Sequence, residues 1–139
     1  MHEVKLEIKF DAPVEALYQA WYKPELLLQW FAPGEMILTQ AMSSFSVGGK
    51  YRMVMQDPDY QQYLITGEYL QIEENRYLVF TWQVDEQEPV SQVRLTFERL
   101  NDSTSSLTLV HSELPDQAMQ EHYQAHWIAS LEKLSLLTL

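Results

Sequence analysis

The chain has 139 residues, 46% hydrophobic and 12% aromatic, with 20 acidic against 9 basic side chains and a net charge of −11. That length buries about two-thirds of the unfolded surface in one domain over residues 1–139, and the lack of cysteine excludes disulfides, thiolate metal sites and a thiol nucleophile. The acidic balance argues against nucleic acid and anionic membrane surfaces; with no apolar run near the roughly 20 residues of a bilayer span and no signal-peptide core, a soluble cytoplasmic protein is expected.

Residues 2–10 alternate, with Val4, Leu6, Ile8 and Phe10 on one side and Glu3, Lys5, Glu7 and Lys9 on the other. Such a period of two predicts a strand with one wet face. Asp11-Ala12-Pro13 predicts a helix start, Asp as the cap and Pro in the first turn. Leu17, Tyr18 and Trp21 give this helix its apolar side. Lys23-Pro24 ends it, and a second short helix over Glu25 to Trp30 stops before Pro33-Gly34.

The period returns to two at Met36. Gly48-Gly49 is expected to supply two positive-φ residues at the start of a strand that carries Tyr51, Met53 and Met55 on one face. Asp57-Pro58-Asp59 is a turn by its chemistry. Strands are predicted over Gln62 to Ile72 and Arg76 to Val84, the latter alternating Leu78, Phe80, Trp82 and Val84. The acidic stretch Asp85 to Pro89 is a hairpin loop, Val93, Leu95 and Phe97 mark the next strand, and Leu107, Leu109 and His111 the last. Connections this short make an antiparallel meander. Leu114-Pro115-Asp116 then opens a long helix whose Met119, Tyr123, Trp127, Leu131, Leu134 and Leu137 form one stripe. The class is α+β, and a sheet covered by a single helix tends to leave a gap between the two.

Several of these segments, taken together, resemble the heat-shock protein 90 ATPase activator homologue family, a branch of the START-like superfamily. The matching segments are Ala20-Trp21 with Pro24-Glu25, Trp30 to Pro33, Val47 to Tyr51, Gly67-Glu68-Tyr69, Phe80-Thr81-Trp82, Leu107 to His111, and Trp127 to Leu134. The resemblance implies the helix-grip fold, a curved antiparallel sheet wrapped around the long C-terminal helix with two short helices after the first strand. It also implies a cavity between helix and sheet. Family members often have Gly before the helix tryptophan; His126 stands there in this chain, and its side chain would narrow the cavity or give it a polar group. Co-chaperone members carry a further N-terminal domain that 139 residues do not accommodate, so a chaperone contact is a lesser expectation.

The expected ligand wall is Trp30, Met53, Met55, Tyr69, Phe80, Trp82, His111, Tyr123 and Trp127, because apolar ligands are held by aromatic and aliphatic groups with a few polar ones. The same residues would equally serve as close-packed core. His111 shares a face with Leu107 and Leu109, so it is either a hydrogen-bonded core histidine or a group that orients a guest. His122 and His126 share one helical face but have neither the Glu of a metalloprotease motif nor an evident third ligand, so no metal is expected. Glu35 and Glu68 are read as solvated. No phosphate loop, dinucleotide fingerprint or nucleophile elbow occurs, so no cofactor is expected. Three readings follow: a small-molecule binding protein, a cofactor-independent enzyme using the same cavity, and a protein-interaction module contacting a chaperone or a second copy. Two buried titratable groups facing each other would favour the enzyme.

Overall fold

Alternating strands and tight turns build a seven-stranded antiparallel sheet, all of whose neighbours but one are consecutive in the chain. The computed structural model describes residues 2–139. The elements are β1 (His2–Phe10), α1 (Val14–Gln19), α2 (Pro24–Trp30), β2 (Ile37–Ser43), β3 (Lys50–Gln56), β4 (Gln62–Glu73), β5 (Tyr77–Val84), β6 (Ser91–Arg99), β7 (Ser105–Leu114) and α3 (Gln117–Leu136). The sheet runs β1-β7-β6-β5-β4-β3-β2, so the first strand closes onto the last while β2 to β7 form a meander. This is the curved sheet and long terminal helix of the helix-grip fold. Among the described residues no helix is long and apolar enough to cross a membrane.

Three helix and turn details differ from the sequence expectation. Asp11 caps nothing: Pro13 occupies the N-cap of α1, without a side-chain cap. Leu114 is buried as the last residue of β7, and Asp116 starts α3 by accepting the Met119 amide. Of the glycine pair, only Gly48 has positive φ, at 84°. A Cβ on Gly49 would lie 2.0 Å from the Ser44 carbonyl oxygen, so close backbone approach is what Gly49 allows.

Beneath α3 the interior is dense with aromatic rings. Its Tyr123, His126, Trp127, Ser130, Leu131 and Leu134 recur every three or four residues and are buried. The Trp21 ring meets Trp30 at 4.6 Å and Trp127 at 5.9 Å, and Trp82 lies 5.2 Å from Trp127. The same helix holds down the segment between α2 and β2. Ser130 Oγ donates to the Phe31 carbonyl at 2.9 Å, and the Lys133 ammonium donates to those of Ala32 and Met36 at 2.6 and 2.9 Å.

Gly67 sets a second constraint. It pairs with Tyr51 across β3 and β4, and the Tyr51 phenol reaches over it to donate to the Thr81 carbonyl on β5. A Cβ at Gly67 would sit 2.0 Å from that carbonyl and 2.4 Å from the Tyr51 ring. Gly67→Ala is therefore expected to destabilise the fold by about 3 kcal/mol, the upper end of an overpacked interior plus a displaced hydrogen bond. Urea unfolding checks this, and an unchanged midpoint would show that the sheet relaxes freely here.

Candidate functional site

Two hollows lie over the inner face of the sheet. The one beside α2 is small: about 10 Å³ among Leu27, Phe31, Tyr51, Met53, Tyr69 and Phe80, no bigger than one water. At the other end a pocket of about 680 Å³ opens between α3 and the turns at the ends of β3 and β5. Met55, Trp82, Val84 and Tyr123 form its inner walls, Pro33, Gly34 and Met36 one lip, and Ala125 and Ala129 the helix side. Its rim carries Asp57, Tyr63, Asp85, Glu88 and His122. A groove of similar size, about 720 Å³, lies by the β4–β5 turn, but Glu15, Glu73, Glu74, Arg76, Glu98 and Arg99 line most of it.

Two hydrogen-bonded chains tie the helix to the sheet beside this pocket. In the first, the Trp127 indole donates to His111 Nδ1 at 3.0 Å. An indole nitrogen can only donate, so Nδ1 accepts and the proton of the neutral ring sits on Nε2. That N–H donates to Ser91 Oγ at 2.7 Å, and Ser91 in turn reaches the Trp82 carbonyl at 3.4 Å. Burial lowers the His111 pKa from 6.5 to about 3. A second ring proton would also point at the Trp127 N–H. Both nitrogens are engaged, which leaves His111 no free valence for a guest.

The second chain lines the pocket. Trp82 Nε1 donates to the Tyr123 hydroxyl at 2.9 Å, and that hydroxyl donates to a Glu88 carboxylate oxygen. Burial raises the Tyr123 pKa well above its ordinary value, and the bond to Glu88 adds to the shift. Burial raises Glu88 as well, opposed by the Tyr123 hydrogen bond and by His122.

His126, which also lines the pocket, is left over. It is 8% exposed, its ring packs 5.8 Å from Trp82 and 5.1 Å from Trp127, and its Nε2 is buried with no hydrogen-bond partner. Among the described residues Trp21 Nε1 is the other buried side-chain nitrogen in that condition. Burial first, then the neighbouring His122 and His111, brings the His126 pKa from 6.5 to about 3, so the ring is neutral. The His122 and His126 ring centres are 6.4 Å apart, with His122 exposed.

A model of the Activator of Hsp90 ATPase homolog 1-like family matches residues 11–138. The chain belongs to that family. A solved protein from Chromobacterium violaceum superposes with a TM-score of 0.90 at 24% identity, covering 99% of this chain and 97% of that one. A family member from Silicibacter pomeroyi superposes at 0.83 with 26% identity over 96% and 94% of the two chains. A protein of the dynemicin biosynthetic locus superposes at 0.78 with 21% identity, covering 97% of this chain but only 46% of its own. No protein with a curated description matches the chain.

Within this member of the family, the nine residues expected at the wall separate into three groups. Met55, Trp82 and Tyr123 line the open pocket. Met53, Tyr69 and Phe80 line the small hollow beside α2. Trp30, His111 and Trp127 line neither: Trp30 is buried with its indole bonded to the Ala20 carbonyl, and the other two are bonded to each other. Glu88 and Asp57 escaped the sequence reading because acidic turn residues are usually solvated. The lip at Pro33 to Met36 escaped it because a helix stop gives no sign of what it faces.

The two buried histidines give the fold a defined acid sensitivity. Below pH 6.5 the unfolded chain takes up protons that the folded rings refuse down to about pH 3. Their stabilisation is therefore complete above pH 6.5 and is lost as the pH falls toward 3, each ring contributing up to about 1.4 kcal/mol per pH unit. Glu88, its carboxyl raised by burial, acts in the opposite sense. His126→Leu should make the acid slope shallower by about 1 kcal/mol per pH unit. At pH 7 it should leave stability unchanged or raise it by about 1 kcal/mol, since a buried unpartnered nitrogen disappears. Urea unfolding from pH 4 to 8 checks both, and a loss of about 2 kcal/mol at pH 7 would count against the unpartnered ring.

Proposed function

We propose that this protein binds a small hydrophobic molecule in the pocket between α3 and the ends of β3, β4 and β5. The observation that carries the reading is the pocket itself: about 680 Å³, walled by Met55, Trp82, Val84 and Tyr123. Sites for small organic molecules have this size and this preponderance of aromatic and aliphatic wall. A structural neighbour from a biosynthetic locus is in keeping with such a role.

One observation supports a cofactor-independent enzyme as a second reading. Tyr123 and Glu88 are hydrogen-bonded to each other in the pocket wall, and burial pushes both pKa values up. Paired, shifted groups of this kind suit proton transfer.

Native mass spectrometry of the protein as isolated from cells, with thermal shift in the presence of any molecule it releases, tests the first reading. A ligand at a hundred times its Kd raises stability by about 2.7 kcal/mol. Ala129→Trp, which places an indole across the helix side of the pocket, should weaken binding at least tenfold while the unliganded protein melts within a few degrees of the wild type. Undiminished binding by this variant would move the ligand elsewhere. A bound molecule released with altered mass would favour the enzyme, and one released intact the binding protein.

A further inference from the structure

We infer that two copies of this chain associate through β1, edge to edge and antiparallel, joining their sheets across a two-fold axis at Leu6. β1 is the terminal strand of the sheet, and its one neighbour there is β7. The Gln120 amide donates to the Glu3 carbonyl at 2.8 Å, which ties the start of the strand to α3. Beyond that point, among the described residues, β7 alone is hydrogen-bonded to residues 4–10, and the pairing from Val4 to Phe10 has no register shift. Alternate backbone N–H and C=O groups of this stretch therefore face outward with no partner from the sheet. Neither proline, nor a bulge beyond Val4, nor an inward charge blunts this edge. The opposite edge differs: β2 has a register shift between Leu38 and Gln40 and packs against α2.

The charges on β1 name the partner. Lysines alone would repel a second edge. Here Lys5 and Lys9 alternate with Glu3 and Glu7, all four exposed, in an order that complements itself. With Leu6 opposite Leu6, Glu3 meets Lys9 of the second copy and Lys5 meets Glu7, each pair occurring twice by symmetry. The next register in one direction sets Lys5 against Lys5 and Glu3 against Glu7. In the other direction it sets Glu7 against Glu7 and Lys5 against Lys9. Charge thus selects a single pairing, and a second copy of the chain supplies it.

The inward side of the strand agrees with that register. Leu6 and Ile8 share it with the buried Val4 and Phe10, yet both stay partly exposed at the open edge. The pairing that matches the charges also sets Leu6 beside Leu6 and Ile8 beside Val4, which covers them. The chain's net charge of −11 repels a second copy in general. On its outer side, however, β1 is neutral in sum, and the β7 residues paired with it there, Val110, Thr108 and Ser106, are uncharged. Approach along this edge is spared much of the repulsion.

Sedimentation equilibrium of the full chain, at concentrations into the hundreds of micromolar, should show a dimer. Lys5→Glu and Glu7→Lys each turn two attractive pairs into two repulsive ones, and each should weaken the dimer about tenfold. The two single variants mixed together should associate with each other, because one presents an acidic edge and the other a basic one. Both substitutions in one chain should restore the wild-type dimer. The chain has no cysteine, so Leu6→Cys places a lone thiol at the axis, where mild oxidation should cross-link two copies; Ile8→Cys, which faces Val4 in this register, should not cross-link. Should the charge variants lose their fold, the two cysteine variants decide the matter. A wild type that stays monomeric or a dimer indifferent to both single substitutions would overturn the pairing. So would folded swap variants that fail to reassociate, or Ile8→Cys cross-linking as readily as Leu6→Cys.

Discussion

Trp82 is the piece on which the site depends. It leaves β5 to stand under α3, where its ring lies within 6 Å of Phe31, His111, Tyr123, His126 and Trp127. Its indole N–H is committed to the Tyr123 hydroxyl. A bulky ring with one obligatory donor fixes both the height of the helix above the sheet and its rotation, because only one turn of α3 presents an acceptor at that point. With the helix held at that height, the Trp82 ring is fully buried among Phe31, His111, Tyr123, His126 and Trp127, and the pocket lies beyond it. The pocket is thus a consequence of how one indole is satisfied.

Two histidines close to that indole show how the interior is divided. His111 sits on β7 with a donor on one side and an acceptor on the other, and its tautomer is dictated by Trp127. It is buried, neutral and complete. His126 has the same degree of titration shift and comparable burial, yet its Nε2 has nothing to bond. Local geometry explains the difference. His111 points between Ser91 and Trp127, whose side chains supply an acceptor and a donor, whereas His126 is one residue before Trp127 on the helix and meets neither. A histidine with both ring nitrogens bonded and one with a buried nitrogen unbonded look alike in sequence, and only the arrangement of neighbours separates them.

Much of the architecture was legible because it rests on short-range regularities. Strand alternation from Val4 to Phe10 and from Leu78 to Val84, and the three-four spacing of Tyr123, Trp127, Leu131 and Leu134, each express a face that must be buried. The site was legible only in part. Alternation identifies which residues point inward, so Met55, Trp82 and Tyr123 were found together with Trp30, His111 and Trp127, which point inward into solid core. Whether an inward residue meets a neighbour or a void depends on side chains far apart in the chain, such as Phe31 against Trp127. Glu88 was unreadable for a related reason: it belongs to an acidic turn, and the Tyr123 hydroxyl that holds it comes from 35 residues further along.

The position of the lip follows from the same long-range logic. Pro33, Gly34 and Met36 lie in the stretch between α2 and β2, where no regular hydrogen-bond ladder holds the backbone. Lys133 supplies the missing restraint by donating to the carbonyls of Ala32 and Met36 from the last turns of α3. The helix that forms one wall of the pocket therefore also holds the opposite lip in place, and burial lowers the pKa of the lysine that does so. A guest pressing on Ala125 and Ala129 and one pressing on Met36 push against elements joined through the same helix. Widening the pocket then requires either bending α3 away from Trp82 or breaking the Lys133 contacts, and both oppose it.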